Sequence, residues 1–379
     1  MFFFPIVLIG VMLTNIIPKK NIWLINEWFG ESFKDNGKIF YEYIKNLNVK
    51  TYWLTKNKKL IKTNPNLIYL YSPKSLYLHL VSKVFIISHS ILSEFIPFLI
   101  SPNSKVIHFY HGVPIKYVEN DSNYSKSNNF FFKSLSKIFP FIRKRFDLLI
   151  ALNEVNKNHL KSAFQCDESK IKVTGFPRYD NIFSKTKQTE TNRPIKQKTI
   201  RILYQPTFQG KPGDYFVFHN ENKKISLNKL SELINNQNIS IDIKLHPASK
   251  LRATDVLKLK KIRKIKLLKS HYTLDKIGYN YDCFMTDFSG SYFDFLPFKK
   301  PIIINLTGIN DYLRSSREGF YYNISELSSN TFDNWQNLEK EIKKIKKKDV
   351  EYFLNKHHYF QDSLSCQRIH QEIIKLLSH

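Results

Sequence analysis

The chain has 379 residues with 42% hydrophobic content, enough for two domains with cores of their own, and it carries no long low-complexity tract. Lys and Arg total 59 against 32 acidic residues, and the formal net charge of +27 calls for an anionic partner: nucleic acid, lipid headgroups or a phosphate-rich substrate. Three widely separated cysteines, Cys166, Cys283 and Cys366, exclude a disulfide framework and a CxxC metal site, and fit a reducing cytoplasm.

Residues 1–20 open with a mostly apolar run that ends in Pro18, Lys19 and Lys20. The run sits at the lower edge of bilayer-spanning length and lacks the basic start of a signal peptide, so it reads as a membrane-inserted or interfacial anchor, with a buried helix or strand as the plainer reading. From 21 to 54 the pattern is strand, polar loop, helix, strand, the βαβ rhythm of a parallel sheet. Glu27, Gly30 and Asn36 in that loop suit a ligand cleft or, equally, a helix cap. Further apolar runs at 66–71, 84–90 and 105–112 follow, and the last ends in His111 at a strand's C-terminal edge, where open α/β sheets bind ligands. An imidazole there can take a proton from an attacking hydroxyl, whereas His108 lies inside the strand and packs.

Residues 130–146 interleave aromatics with Lys133, Lys137, Arg143, Lys144 and Arg145, a pattern suited to an anionic membrane surface. Nucleic acid is the rival partner, but no nucleic-acid motif accompanies the segment. A strand and a helix then lead to a strand running into GFPRYD, where Gly175 permits a tight turn and Arg178 is a natural phosphate partner, or half of a local ion pair with Asp180. The polar stretch 184–199 reads as a linker. Beyond it come a strand ending at Pro206, Thr207 and Phe208, a helix at 227–234, an alternating strand stopping at His246, and a basic helix over 255–266.

The stretch TDFSGSYFDF, 286–295, lies between two apolar runs and reads as strand, hydroxyl-rich turn, helix, strand. Such a turn directs backbone amides at the positive end of a helix, so Ser289, Gly290 and Ser291 can hold a phosphate. An ordinary turn capped by Asp287 or Ser289 is the plainer account. The adjacent pair His357 and His358 lacks metal-ligand spacing.

Taken in order, HGVPIK (111–116), GFPRYD (175–180), LYQPTF (203–208), KLHP (244–247) and TDFSGSYFDF resemble the CDP-glycerol glycerophosphotransferase family, the polymerases and primases of teichoic acids and related capsules. The resemblance begins near Trp23 and runs almost to the C-terminus. It implies that His111 is the catalytic base, with Gly112 and Lys116 in the same motif. It also implies that His246 contacts the diphosphate of a CDP-activated donor, and that Asp294 shapes the donor pocket. Pro206, Thr207, Asp180 and Asp287 belong to the shared motifs, and Glu318 and Gly319 stand where the nucleotide would sit. Two departures are visible: Gln209 replaces the family's usual basic residue, and Gly290 replaces its second serine.

The expected fold is α/β and GT-B-like, two Rossmann-like domains facing across a cleft, with the N-terminal membrane-associating segment. The expected organisation is an apolar segment 1–20, an acceptor-side domain 21–184 whose stretch 130–146 faces a membrane, a linker 185–199, a CDP-donor domain 200–350 and a helical segment 351–379. Lacking an added module, the chain is expected to hold one transferase unit. The expected reaction moves glycerol phosphate or ribitol phosphate from its CDP-linked donor to a lipid-linked or anionic polymeric acceptor at the cytoplasmic face of the membrane. CMP leaves, His111 and His246 act catalytically, and Arg178, Lys116, Ser289 and the amides around Gly290 stabilise charge. No cofactor, metal or nucleic acid enters this expectation. A GT-B glycosyltransferase using a nucleotide sugar is the near alternative, and a non-catalytic basic protein coating membrane or nucleic acid the distant one.

Overall fold

The computed structural model describes residues 4–122, 146–189, 199–208, 214–246, 249–269, 272–315, 319–328 and 330–378. Most of the aromatic and basic stretch 130–146, much of the polar stretch 185–199, Gln209, Pro247 and Glu318 lie outside the described residues. The chain forms two compact units. The first comprises 1–111, 126–180 and 362–379, and the second 112–125 and 181–361.

The first unit is built on a parallel sheet of β1 (Lys20–Ile25), β2 (Lys50–Thr55), β3 (Ile68–Tyr69), β4 (Ser82–Ile87), β5 (Lys105–His108), β6 (Leu148–Ala151) and β7 (Ile171–Val173), in the order β3-β2-β1-β4-β5-β6-β7. Its central strands read as continuous apolar runs because both faces are covered: Trp23, Leu24, Val84, Phe85, Val106 and Ile107 are all fully buried. The second unit repeats the design with β8 (Ile200–Gln205), a short hairpin of β9 (His219–Asn220) and β10 (Lys223–Lys224), β11 (Ile239–Ile243), β12 (Ile265–Leu267), β13 (Cys283–Thr286), β14 (Ile302–Asn305) and β15 (Thr331–Phe332). Its parallel sheet runs β12-β11-β8-β13-β14-β15. In each unit the strand order reverses beside the first strand, between β1 and β4 and between β8 and β13. At such a reversal the flanking loops diverge and leave a crevice for ligand.

One expectation is narrowed and two are changed. The N-terminal apolar run forms a helix of 13 residues, Phe4–Ile16, only about 20 Å long against a hydrocarbon core of about 30 Å. Among the described residues no helix is long and apolar enough to cross a membrane. Its Gly10 packs on Phe98 and Leu99, where a Cβ would come within 2.8 Å of a ring carbon, and Thr14 is buried. The basic helix is Ala253–Lys261 and stops there; Ile265 already belongs to β12, since β-branched residues suit a half-buried strand edge. The helix Pro177–Thr189 runs into the stretch read as a linker, so the polar region begins helical.

The helix Ser365–Ser378 joins the first unit through Asp180, whose two carboxylate oxygens accept the amides of Ser365 and Cys366, each at 2.8 Å. Asp180 therefore caps a helix far away in sequence, and pairs with it rather than with Arg178. Replacing Asp180 with Ala should lower unfolding stability by about 1–2 kcal/mol, the worth of a helix cap. Urea unfolding of the variant and the wild type checks this, and a loss within error would show that water replaces the cap.

Candidate functional site

In the first unit, the loops after β1, β4 and β5 converge on His111. Trp28 follows β1, His89 follows β4, and His111 lies three residues beyond β5. The His89 and His111 rings stack in parallel, 4.5 Å apart, and Trp28 approaches them at 5.0 and 6.4 Å. His108 does pack: it is buried, and its Nδ1 accepts the Tyr110 amide at 2.9 Å. Arg178, second residue of its helix, donates from Nη2 to the His111 carbonyl at 2.9 Å, and its Nε reaches Asn36 Oδ1 and Asp35 Oδ1, each at 3.2 Å. The sequence-chosen His111 and Arg178 thus meet in one cluster.

His111 has its pKa pushed well below the ordinary imidazole range, first by desolvation and then by the nearby His89, His108 and Arg178, against the Ser88 carbonyl. The residue keeps an exposed surface, which weakens the desolvation. The direction stands, because a proton on His111 would still face the Arg178 charge. At neutral pH the ring is uncharged and able to accept a proton. Glu27 is displaced the other way, well above the carboxylate range, by burial and then by Asp35 and Glu94. Its Oε2 accepts the Gly37 amide at 2.9 Å, which is the helix-cap reading of that loop.

Sequence reasoning missed the group that shapes this edge. Glu94, fully buried, accepts four hydrogen bonds: Ser88 N–H at 2.8 Å, Ser88 Oγ–H at 2.9 Å, Phe29 N–H at 3.2 Å and His89 N–H at 3.3 Å. One carboxylate therefore ties the loop after β1 to the loop after β4 across the strand-order reversal. It also holds Trp28 (φ 51°) and Phe29 (φ 59°) in the left-handed region, a conformation that costs bulky residues about 1–3 kcal/mol each. Only the WFG tripeptide, with a glycine after two aromatics, hinted at a sharp turn.

In the second unit, a carboxylate again bridges the reversal. Asp287, just after β13, accepts the amide of Thr207, just after β8, at 2.6 Å, and the Phe288 amide at 2.7 Å. Lys116 donates to Thr207 Oγ1 at 2.7 Å and lies over the Tyr312 ring. The segment holding Lys116 pairs with the one holding Gly319: Tyr117 N–H donates to Gly319 O at 3.1 Å and Tyr321 N–H to Ile115 O at 2.8 Å. Gly319 is needed because a Cβ there would meet the Tyr117 ring at 2.2 Å. The sequence-chosen Lys116, Thr207, Asp287 and Gly319 are thereby brought together, with Pro206 beside Thr207.

Ser289, Gly290 and Ser291 form the turn into the short helix Ser291–Phe295; Gly290 is its N-cap residue, and the Ser289 hydroxyl accepts the Ser291 amide at 3.3 Å. The two hydroxyls bond each other at 3.0 Å. Gly290 has an ordinary backbone conformation; its constraint is the Val113 carbonyl oxygen, 2.3 Å from where a Cβ would lie. The glycine that departs from the family pattern thus admits the Gly112-to-Lys116 segment. Gly112 itself needs its freedom, with φ 135°. Asp294 is half-buried on the short helix, and His246 is exposed after β11, beside Phe208 at 5.9 Å. A concavity of about 260 Å³, open solvent included, lies among Tyr204, Asp287, Asn305, Thr307, Gly308 and Trp335.

Asp287 Oδ2 is buried with no hydrogen-bond partner, and burial pushes the carboxyl up to about 6, opposed by the Thr207 amide and the Lys116 charge. A carboxyl raised from 3.8 in the folded state binds more protons than in the unfolded chain between about pH 4 and 6. Its contribution to stability therefore falls as pH rises through that window. Asp287→Asn keeps an oxygen for both amides, and should remove a stability loss of at most about 3 kcal/mol between pH 4 and 7. Urea unfolding of both proteins at the two pH values checks it; parallel curves would mean that Lys116 fully compensates the buried charge.

A sequence profile for CDP-glycerol:poly(glycerophosphate) glycerophosphotransferase matches residues 9–375. The chain is 25% identical over 357 residues to a teichoic acid poly(glycerol phosphate) polymerase of Staphylococcus epidermidis, covering 89% of this chain but 47% of that one, so it spans about half that relative's length. It is 23% identical over 382 residues to a teichoic acid glycerol-phosphate transferase of Staphylococcus aureus, covering 96% and 95% of the two chains. Among solved structures, the wall teichoic acid polymerase TagF is similar with a TM-score of 0.70 at 20% identity, over 97% of this chain and 93% of that one. A UDP-GlcNAc 2-epimerase of Methanocaldococcus jannaschii is similar with a TM-score of 0.52 at 17% identity, over 95% and 100%. These structural likenesses agree on an α/β fold with parallel sheets.

Proposed function

The chain belongs to the CDP-glycerol:poly(glycerophosphate) glycerophosphotransferase family, and from that premise we propose that it moves glycerol phosphate, or its ribitol counterpart, from a CDP-linked donor to an acceptor hydroxyl. The two parallel-sheet units would act as the Rossmann-like halves of a GT-B enzyme, the first for acceptor and the second for donor. The observation that carries the reading is the place of His111 at the edge of the first unit's sheet, its ring stacked on His89 at 4.5 Å and its carbonyl bonded by Arg178 at 2.9 Å.

His111 takes the proton of the acceptor hydroxyl as its oxygen attacks the phosphorus that bears the polyol. The bond from that phosphorus to the bridging oxygen breaks, and the bridging oxygen leaves with CMP. Negative charge grows on the transferred phosphate and on CMP, and fixed donors must meet it. In this reading the second unit supplies Lys116, His246, the hydroxyls of Ser289 and Ser291 and the amides around Gly290. Asp287 and Thr207 hold Lys116 in place, Gly112, Pro206 and Asp294 shape the loops, and Glu318 with Gly319 meets the nucleotide. Arg178 stands beside the base, and Asp180 fixes the helix that carries Arg178.

The acceptor would be a lipid-linked or growing anionic polymer of the teichoic-acid or capsular kind, at the cytoplasmic face of the membrane. Support for a membrane-surface position comes from the helix Phe4–Ile16, whose Ile9, Met12 and Ile16 are 57%, 61% and 73% exposed, and from the net charge of +27. An apolar face of that length suits lying in the interface.

CMP release from CDP-glycerol and CDP-ribitol, measured side by side with a lipid-linked acceptor, tests the reaction. One donor should be turned over, and His111→Ala should lower the rate by about 10²–10⁴-fold. A nucleotide sugar that raises the melting temperature where both CDP-polyols fail would replace this reading with the glycosyltransferase. Because the base acts neutral and its pKa is depressed, kcat/KM should stay flat as pH falls from 7 to 6. A pH–rate profile that loses activity in that interval would show a base titrating as an ordinary imidazole, and so overturn the depressed pKa of His111.

A further inference from the structure

The second unit carries a basic band that the reaction above does not use. Its sheet ends at β12, and the helix Ala253–Lys261 lies between β11 and that edge strand in the chain. Lys258, Lys260 and Lys261 on the helix, Arg263 in the turn, and Lys266 and Lys269 along the strand and just past it are all exposed. Among the described residues none of these six forms an ion pair, and Asp255 is the single acidic residue between 252 and 269. Lysines on other helices of the unit are neutralised within a turn, Lys229 by Glu232 at 3.0 Å and Lys344 by Glu341 at 2.6 Å. The helix dipole accounts for a cation in the last turn, and protection of an open sheet edge for one on β12. Neither accounts for six unpaired cations between 258 and 269, where Lys258 and Lys261 repel at i, i+3. The Leu268 amide donates to the Ile243 carbonyl at 2.8 Å, so the band rises from the helix end to the ligand-binding edge of the sheet, where His246 follows β11.

The packing of this element decides which anion it fits. Its apolar face is taken up by the core: Leu259, Ile262 and Ile265 are buried in the second unit's hydrophobic cluster, and Leu251 and Leu267 pack against it. Leu257 is the one large apolar side chain of the segment that is strongly exposed. A helix lying in a lipid interface needs its apolar face free. Residues 253–269 contain no aromatic side chain, so nucleobases would find no stacking surface along them. Charge with neither an apolar nor an aromatic surface suits a flexible polyanion that has neither acyl chains nor bases. A chain of phosphodiester-linked polyols is such a polyanion. Each phosphate met by a lysine or arginine releases a counterion, and the gain grows with every repeat in contact.

We propose that the edge formed by the helix Ala253–Lys261 and β12 is an exosite for a poly(polyol phosphate) chain, binding the polymer apart from its reacting end. The proposal rests on the phosphotransferase reading for the identity of the polymer. It is tested first at equilibrium, without donor. The full-length protein and two triple variants are compared, one with Lys258→Gln, Lys260→Gln and Lys261→Gln, the other with Arg263→Gln, Lys266→Gln and Lys269→Gln. Each is titrated with a fluorescent glycerol phosphate oligomer at increasing salt, and in parallel with a single-stranded oligonucleotide of equal charge and with phosphatidylglycerol vesicles. The wild type should bind the oligomer with a log Kd that rises linearly with log salt. Each variant should bind it about tenfold more weakly, with a slope lower by about 2. Both variants should melt with the wild type, since exposed, unpaired cations contribute little to the fold. In turnover, both should raise KM for a polymeric acceptor by a similar factor, with kcat and KM for the CDP-polyol unmoved. Oligomer binding that is unchanged in both folded variants overturns the proposal, as does tighter binding of the oligonucleotide or a loss confined to the vesicles. Oligomer binding that depends on these residues while no CDP-polyol is turned over counts against the phosphotransferase reading and leaves the exosite standing. Turnover by variants that bind the oligomer like the wild type does the reverse.

Discussion

A buried carboxylate bridging the point where strand order reverses recurs in both units, and the site depends on it. At a reversal, the loops leaving two neighbouring parallel strands run to opposite sides and open a crevice with amides facing inward and unpaired. Glu94 satisfies those amides between β1 and β4, and Asp287 satisfies them between β8 and β13. Each side chain converts a gap between diverging loops into a fixed edge, and each does so at the cost of burying a carboxyl.

The two carboxylates differ in how fully they are used. Glu94 has four donors on its two oxygens, so its burial is matched by hydrogen bonds and it can hold strained aromatics in place. Asp287 has donors on one oxygen only, and its raised pKa expresses the shortfall. Lys116 supplies the compensating charge through Thr207, so the electrostatics of the second unit tie the Gly112-to-Lys116 segment to the end of β8. The same segment explains Gly290, which leaves room for the Val113 carbonyl.

Much of the site was legible in the sequence because motifs at strand ends are short and local. Apolar runs marked β1, β2, β8 and β11, and a polar residue just past each run marked a place at the ligand-binding edge. His111 was chosen by its place at the end of β5 and Arg178 as a phosphate partner after β7, whereas Lys116, Thr207 and Asp287 came with the motifs of the family resemblance. Glu94 and Phe29 were not chosen, because a glutamate in a short polar turn and an aromatic in a loop carry no signal of their own. Their role comes from a partner some sixty residues away. The capping role of Asp180 was hidden for a similar reason, since its partner helix begins at Ser365.

By itself the sequence determined the parallel α/β class, the strand-end motifs and the family, since continuous apolar runs and nearby polar residues are properties of neighbouring positions. Only the tertiary structure decided which side chains share a hydrogen bond across a strand-order reversal. It alone decided that the 13-residue apolar helix is too short to span a bilayer and packs through Gly10 and Thr14. It also decided that Gly290 answers to a neighbouring carbonyl rather than to a turn. These are long-range choices: the free energy of burying a carboxyl, or of holding an aromatic in a left-handed backbone, is set by groups distant in sequence that folding brings within 3 Å or so of one another.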